Sequence, residues 1–183
     1  MIIIEGADNT GKSTLGKFLS KEFSLELIHS ERPHWSWTEE QSLEHSRKQL
    51  LPQLAILDRV YALSEYVYGP ICRGGSALGT RHAEALVDLY NRPYVIIYCR
   101  PQMSTILRNG ERDQMEGVVE NHQAIVEAYD KLMDEVARFG VCKIIRFDWE
   151  ELGEDSRLVD KLKLHLKEFH SGYYSSVFMG QGV

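Results

Sequence analysis

The sequence predicts an α/β fold in three layers, with a parallel five-stranded sheet between two layers of helices. Short apolar runs of strand length alternate along the chain with amphipathic helical segments, which is the pattern of repeated strand–helix units. A length of 183 residues is enough for one compact domain and requires no second one. Apolar residues make up 43% and charged residues 26% of the chain, which argues against wholesale disorder.

The predicted elements follow from periodicity. The strands are Ile2–Glu5, Leu25–His29, Leu54–Asp58, Tyr94–Cys99 and Cys142–Phe147. The helices are Thr14–Phe23, Thr38–Leu51, a segment that begins with Tyr61–Tyr68, then His82–Tyr90, Gln102–Arg108, Val118–Phe139 and Asp155–Phe169. We expect residues 1–170 to form the domain and residues 171–183 a C-terminal tail without periodicity. Ligands of such sheets bind at the carboxyl ends of the strands.

A glycine-rich phosphate-binding motif follows the first strand. Residues 6 to 13 read Gly-Ala-Asp-Asn-Thr-Gly-Lys-Ser and fit G-x-x-x-x-G-K-[ST] throughout, in the strand-to-helix context that the motif requires. Backbone N–H groups and the helix N-terminus would surround a polyphosphate. Lys12 is expected to reach the β- and γ-phosphates of ATP, and Ser13 to ligate Mg²⁺. The expected nucleotide-binding residues of the loop are Gly6, Asn9, Thr10, Gly11, Lys12, Ser13 and Thr14. The fold predicted is therefore the P-loop NTPase fold.

A charged pair, Asp58 and Arg59, ends the third predicted strand. An acid at this position can hold the hydration shell of Mg²⁺, which makes Asp58 a second candidate metal residue beside Ser13. The adjacent Arg59 can bind a second phosphoryl group through two hydrogen bonds. The alternative interpretation is a surface ion pair that ends a strand.

Composition argues against several other classes of protein. A net charge of −6 without a polybasic run disfavours nucleic acid as a partner. Cys72, Cys99 and Cys142 are widely spaced, which disfavours a zinc site or a disulfide framework and favours a reducing cytoplasm. No apolar stretch reaches the length of a membrane span, and the first strand begins at Ile2, so we expect neither a membrane segment nor a signal peptide.

Two motifs together resemble those of the thymidylate kinase family of P-loop nucleoside monophosphate kinases. Glu5–Thr14 reads Glu-Gly-x-Asp-x-x-Gly-Lys-Ser-Thr, and Asp58–Tyr68 reads Asp-Arg-x-x-x-x-Ser-x-x-x-Tyr. Leu107–Glu116 also resembles the family's lid. The resemblance implies transfer of phosphoryl from Mg–ATP to a small-molecule acceptor, dTMP or a related deoxynucleotide. It also implies a homodimer, and the small size of the chain favours a viral or phage version.

The resemblance further implies roles for individual residues. Asp8 would contact the 3′-hydroxyl of the acceptor sugar, and Arg108 would stack on the adenine of the donor. Arg112, in a short lid at about residues 107–117, would stabilise the transferring phosphoryl group. The catalytic residues would be Lys12, Asp58, Arg59 and Arg112.

The acceptor-binding region, expected at about residues 30–80, departs from the family pattern. The family's Arg-Glu-Pro is replaced by Ser-Glu-Arg-Pro at residues 30–33, and only residues 34–57 precede the Asp-Arg pair. The candidate acceptor-binding residues are Asp8, Trp35, Arg47, Arg59, Tyr68 and Arg73. For Arg47 a solvated position on a helix is an equally good interpretation, and for Trp35 an anchor in the core. Tyr129 lies at core spacing, and we expect it to pack.

Two other functions stay open. The first is a P-loop kinase of another acceptor, such as a nucleoside or a modified base in DNA, although the negative net charge disfavours DNA. The second is a nucleotide-binding regulatory module, whose loops would reorganise around the γ-phosphate. The sequence has no guanine-reading Asn-Lys-x-Asp, which disfavours this second class.

Overall fold

A computed structural model describes residues 1–30, 36–51, 54–109, 116–152 and 157–164. Within these residues five strands form one parallel sheet in the order β2-β3-β1-β4-β5. The strands are β1 (Ile2–Glu5), β2 (Glu26–His29), β3 (Ala55–Asp58), β4 (Val95–Cys99) and β5 (Lys143–Phe147). The predicted α/β class and parallel five-stranded sheet are confirmed.

Helices cover both faces of this sheet. They are α1 (Lys12–Phe23), α2 (Glu39–Gln49), α3 (Tyr61–Arg73), α4 (His82–Tyr90), α5 (Met103–Arg108), α6 (His122–Phe139), α7 (Trp149–Leu152) and α8 (157–164). A 3₁₀ turn, Gly79–Arg81, leads into α4. In the part of the chain that the structure describes, no helix is both long and apolar enough to cross a membrane.

The observed helices complete, shorten or add to those predicted from the sequence. Helix α3 continues to Arg73 and ends at Gly74, whose φ of +70° gives the left-handed conformation that suits glycine at a helix end. Helix α6 begins at His122 rather than Val118, since residues 116–121 form turns that include Gly117 at a φ of +81°. Helix α7 has only four residues, too few to show a helical period in the sequence. The predicted helix Asp155–Phe169 is described over residues 157–164 only.

Each face of the sheet buries its own core. On one face Ile3, Leu57 and Ile96 pack with side chains of α2, α3, α4 and α6. On the other face Ile4 and its neighbours pack against side chains of α1 and α8, among them Leu19. Strands of a parallel sheet with helices on both sides are buried on both faces, which explains their continuous apolar sequences.

The register of the sheet decides which polar residues share its carboxyl edge. Asp58, the last residue of β3, is paired with Ile4 of β1 on one side and with His29 of β2 on the other. The loop that follows β1 and the residue that follows Asp58 therefore lie at the same edge. This arrangement places the glycine-rich loop beside Arg59.

Candidate active site

The glycine-rich loop has a backbone that only glycine allows at two positions. Gly6 has a φ of +141° and Gly11 a φ of +85°, values that residues with a Cβ rarely adopt. A Cβ atom at Gly6 would lie 2.5 Å from the carbonyl oxygen of Cys99, and one at Gly11 would lie 3.0 Å from the Trp149 ring. The loop is therefore enclosed between the end of β4 and the start of α7.

Lys12 lies buried inside this loop. Its Nζ donates a hydrogen bond to the carbonyl oxygen of Ala7 and lies 3.4 Å from the hydroxyl of Thr10, which itself donates to Ala7 at 2.9 Å. Burial, and secondly the charge of Arg59, lower the pKa of Lys12 to about 8. The ammonium group thus lacks a full counter-charge, and a bound polyphosphate would supply one.

Ser13 and Asp58 are joined across the carboxyl edge. The Ser13 hydroxyl donates to Asp58 Oδ2 at 3.1 Å, and His29 Nδ1 lies 3.0 Å from the same oxygen. A hydroxyl and a carboxylate are the oxygen ligands that Mg²⁺ takes in proteins, where substrate phosphates commonly complete its shell. Among the described residues, no group of three or more His, Cys, Asp or Glu side chains could hold a metal ion without such help.

Arg59 is held in an unusual backbone conformation beside the loop. Its φ is +74°, and its N–H donates to the carbonyl oxygen of Ile4 at 2.9 Å. A side-chain-bearing residue in this left-handed region is strained, and such strain persists only where the surroundings enforce it. The carboxylate of Glu5, which is fully buried, accepts the N–H of Val60 at 2.6 Å and so anchors the following peptide group. Burial raises the pKa of Glu5 to about 7, and the charge of Arg59 opposes that rise.

The Arg59 side chain lies in an acidic and aromatic setting. Its Nη2 is 2.5 Å from Asp8 Oδ1 and 3.2 Å from the Tyr68 hydroxyl, and its Nη1 donates to the Tyr129 hydroxyl at 3.3 Å. The guanidinium carbon lies 4.9 Å from the centre of the Tyr68 ring, within range of a cation–π contact. The Tyr68 hydroxyl also donates to Asp8 Oδ2 at 3.2 Å. Three segments that are far apart in sequence thereby fix one guanidinium at the mouth of the phosphate loop.

The structure does not bring Arg47 into this cluster. Arg47 faces α4, where its Nε donates to Asp88 at 2.7 Å and its Nη2 lies 3.5 Å from Glu84. Because α2 packs on α4, the acidic side chains of α4 form ion pairs with this arginine. The alternative interpretation of Arg47 as an exposed helical residue therefore fits its geometry better than a place in the acceptor site.

Arg73 is engaged at the end of α3. Its Nη2 lies 2.5 Å from the carboxylate of Glu65, which is buried and also accepts the N–H of Ala77 at 2.7 Å. This carboxylate ties the last turn of α3 to the loop that follows it. The structure thus gives Arg73 a local partner, which an acceptor phosphate would have to share or displace.

Arg108, the last residue of α5, lies next to α7. Its Nη2 is 2.6 Å from Glu150, which also accepts a hydrogen bond from the Thr105 hydroxyl. Trp149, the neighbour of Glu150, packs against Gly11 of the phosphate loop. Trp149 therefore contacts the glycine-rich loop, and Arg108 binds the residue next to Trp149. Arg112, most of the lid and Trp35 lie outside the described residues.

Several residues of this site carried no functional signal in the sequence. Glu5 opens the motif that resembles the kinase family, but the sequence assigned it no role of its own, and His29 was visible only as the end of a short strand. Tyr129 is buried as its spacing predicted, but its hydroxyl reaches Arg59, which periodicity cannot show. The signal that could have found His29 was its register with Asp58, which requires the pairing of β2 with β3.

No family model and no curated protein sequence matches this chain. Solved structures do resemble its fold. The YorR protein of Bacillus subtilis, solved in complex with phosphorylated GDP, aligns over 92% of this chain and 97% of its own, with 24% identity and a TM-score of 0.71. Deoxyadenosine kinase from M. mycoides with bound dATP aligns over 88% and 98%, with 17% identity and a TM-score of 0.55. The fold is that of the P-loop kinases. Thymidylate kinase from Candida albicans shares it over 94% of this chain and 91% of its own, with 14% identity and a TM-score of 0.52.

Proposed function

We propose that this protein transfers a phosphoryl group from Mg–ATP to a deoxynucleoside monophosphate, with dTMP or a related deoxynucleotide as the acceptor. The observation that carries the proposal is the position of the Arg59 guanidinium, which contacts Asp8 of the phosphate loop. A second cation thus lies next to the loop that holds Lys12. Two cations in one cleft suit two anionic substrates.

The setting of Arg59 favours an acceptor that is already phosphorylated. A phosphate acceptor carries its own anionic nucleophile, so it needs a cation and correct positioning more than a base. A nucleoside acceptor would instead need a general base within hydrogen-bond reach of its hydroxyl. Hydrogen bonds to Tyr68 and Tyr129 hold the Arg59 guanidinium in place, and an acceptor phosphate would take the position on Nη2 that Asp8 holds.

Asp8 has a proposed role that depends on the same contact. Its side chain is about a third exposed, at 32%, and it pairs with Arg59. An acceptor phosphate on Arg59 would replace Asp8 as the counter-charge. The carboxylate would then be available to accept a hydrogen bond from a sugar hydroxyl.

Mg²⁺ fits the oxygen donors at the carboxyl edge, where Ser13 and Asp58 would hold it together with the nucleotide phosphates. Bound there, it would neutralise charge on the phosphoryl oxygens. Lys12 would bind the β- and γ-phosphates, and Arg108, beside α7, would contact the adenine. Arg112 belongs to the proposed lid, whose closure would exclude water and so prevent hydrolysis of ATP.

The test is a panel of acceptors, each mixed alone with the purified protein and Mg–ATP, with ADP formation followed over time. The panel contains the four common deoxynucleoside monophosphates, their ribose counterparts and the corresponding nucleosides. We expect ADP above the acceptor-free rate with one or more deoxynucleoside monophosphates. ADP formed only with nucleosides would replace the proposal by a nucleoside kinase, an activity named for one of the proteins that share this fold. Bound ATP without acceptor-dependent ADP would favour a regulatory module.

A further inference from the structure

We propose that His29 is a positioning residue, which holds the Asp58 carboxylate in the orientation needed to bind the Mg²⁺ of the nucleotide. The proposal rests on the function proposed above, because it assigns Mg²⁺ to Ser13 and Asp58. It adds a residue whose own contact is with Asp58 and with no proposed substrate group.

The backbone places His29 beside Asp58. The two residues are paired in the parallel register of β2 and β3, and each is the last residue of its strand. Side chains paired in this way on adjacent parallel strands point to the same face of the sheet. The Nδ1 atom of His29 consequently comes within 3.0 Å of Asp58 Oδ2.

The chemistry of the contact fixes which atom donates. An ionised carboxylate can only accept hydrogen bonds, so a hydrogen bond across the 3.0 Å contact requires the proton on Nδ1 of His29. Asp58 Oδ2 thus has a polar neighbour on each of two sides: His29 Nδ1 lies 3.0 Å away, and the Ser13 hydroxyl donates to it at 3.1 Å. Two such contacts on one oxygen restrict rotation of the carboxylate about its terminal bond, a rotation that is otherwise broad.

The two side chains differ in exposure in a way that fits this role. The Asp58 side chain is 7% exposed, whereas that of His29 is 60% exposed. Loss of the exposed ring would therefore open little of the core, and its main effect would be to free the buried carboxylate. A serine hydroxyl that binds Mg²⁺ through a lone pair can still donate its proton to Asp58. His29 and Ser13 would therefore hold Asp58 Oδ2 from two sides once the metal is bound.

The experiment compares His29→Ala with His29→Asn in the full chain. The amide nitrogen of asparagine lies near the place of Nδ1, so His29→Asn keeps a donor to Asp58 that His29→Ala lacks. Isothermal titration calorimetry measures ATP binding in EDTA and in saturating Mg²⁺. Glu26→Ala, at the exposed opposite end of the same strand, is the matched control.

We expect His29→Ala to bind ATP in EDTA as the parent does. In saturating Mg²⁺ its affinity for ATP should be about 10- to 100-fold lower than that of the parent, the usual cost of removing a partner of a metal ligand. His29→Asn and Glu26→Ala should behave like the parent. In turnover, His29→Ala should raise the Mg²⁺ concentration for half-maximal rate by a similar factor and leave the acceptor KM unchanged.

Several outcomes would overturn the proposal. These are an unchanged Mg²⁺ effect in His29→Ala, a folded His29→Asn as defective as His29→Ala, or a parent protein that binds ATP equally well with and without Mg²⁺. Circular dichroism melting curves establish that each variant is folded. A parent that shows the Mg²⁺ effect in binding but phosphorylates no acceptor would contradict the proposed function, while the calorimetry would still decide the role of His29.

Discussion

The glycine-rich loop meets the cluster of Arg59, Tyr68 and Tyr129, the proposed acceptor side of the site, at Asp8, and the chain assembles the two in different ways. The loop motif is one contiguous segment of eight residues that runs from the end of β1 into the first turn of α1, and two of its side chains, Lys12 and Thr10, bond to Ala7 within it. The acceptor side instead joins Arg59, Tyr68 and Tyr129 from three separate elements. The loop geometry therefore follows from local sequence, whereas the acceptor geometry exists only in the complete fold.

This difference predicts which substrate a substitution in each part of the site should affect. A change inside the loop should act on the nucleotide donor and leave the acceptor side intact. A change on the acceptor side should alter how Arg59 is oriented, because each of its partners restrains the same guanidinium.

Substitution of Lys12 by Met should have the largest effect. It removes the cation that would bind the β- and γ-phosphates, and loss of one such preorganised group costs about 10²–10³-fold in kcat. Steady-state kinetics measure the loss. Lys17→Met, at an exposed position on the same helix, is the control and should keep the parent rate. Equal losses in both variants would show a general effect on α1 rather than a role of Lys12.

Substitution of Arg59 by Lys should weaken binding of the acceptor without weakening binding of ATP. Lysine keeps the charge but loses the planar fork, so we expect the acceptor KM to rise about 10- to 100-fold, the cost of one strong charged hydrogen bond or two. The dissociation constant for ATP, measured by calorimetry, should stay near the parent value. Arg47→Lys is the control, since Arg47 pairs with Asp88 and Glu84 away from the cluster. A larger change in acceptor KM for Arg47→Lys than for Arg59→Lys would reverse the assignment of these two arginines.

The pKa of Lys12 gives the loop its own pH signature. Without ligand this pKa is lowered to about 8 by burial, and the phosphates of ATP bind the protonated form. Above pH 8 the free protein loses the proton and must regain it on binding, so ATP affinity should fall, by about tenfold per pH unit. Below pH 8 the affinity should not respond to Lys12. Lys12→Arg, which keeps its charge throughout this range, should abolish the fall; a fall that persists in this variant would assign the titration to another group.

Substitution of Tyr129 by Phe tests how far the distant partners of Arg59 matter. It removes a hydroxyl that accepts from Arg59 at 3.3 Å, a hydrogen bond worth about 1 kcal/mol, or roughly fivefold in kcat/KM for the acceptor. Tyr98→Phe is the matched control, because the Tyr98 ring stacks on Tyr129 while its hydroxyl donates to Asp130. If Tyr98→Phe lowers acceptor kcat/KM as much as Tyr129→Phe, packing and not the hydroxyl is responsible.

The same division explains what the sequence could predict. The strands follow from short apolar runs, and the glycine-rich loop with Lys12 follows from one motif of eight residues. The contact between Arg59 and Asp8 joins residues 51 positions apart, and it depends on the register of β1 with β3. Arg47 was ambiguous because α2 is largely polar around its circumference, so its sequence does not show which side faces α4. Glu150 lies in a four-residue helix that has no detectable period.

The capping box of α2 is a local motif within the region expected to bind the acceptor, at about residues 30–80. The Thr38 hydroxyl accepts the N–H of Gln41 at 3.2 Å, and the Gln41 side chain accepts the N–H of Thr38 at 2.9 Å. Thr38→Ala should lower the free energy of unfolding by about 1 kcal/mol, measured by urea denaturation. Helix α2 supplies Gln49, whose amide oxygen accepts the N–H of Tyr61 at the start of α3, but it supplies no partner of Arg59. We therefore expect acceptor KM and kcat to remain at the parent values in Thr38→Ala. A change in acceptor KM would mean that the stability of α2 is transmitted to Arg59 through α3, and the local and assembled parts of the site would then be coupled.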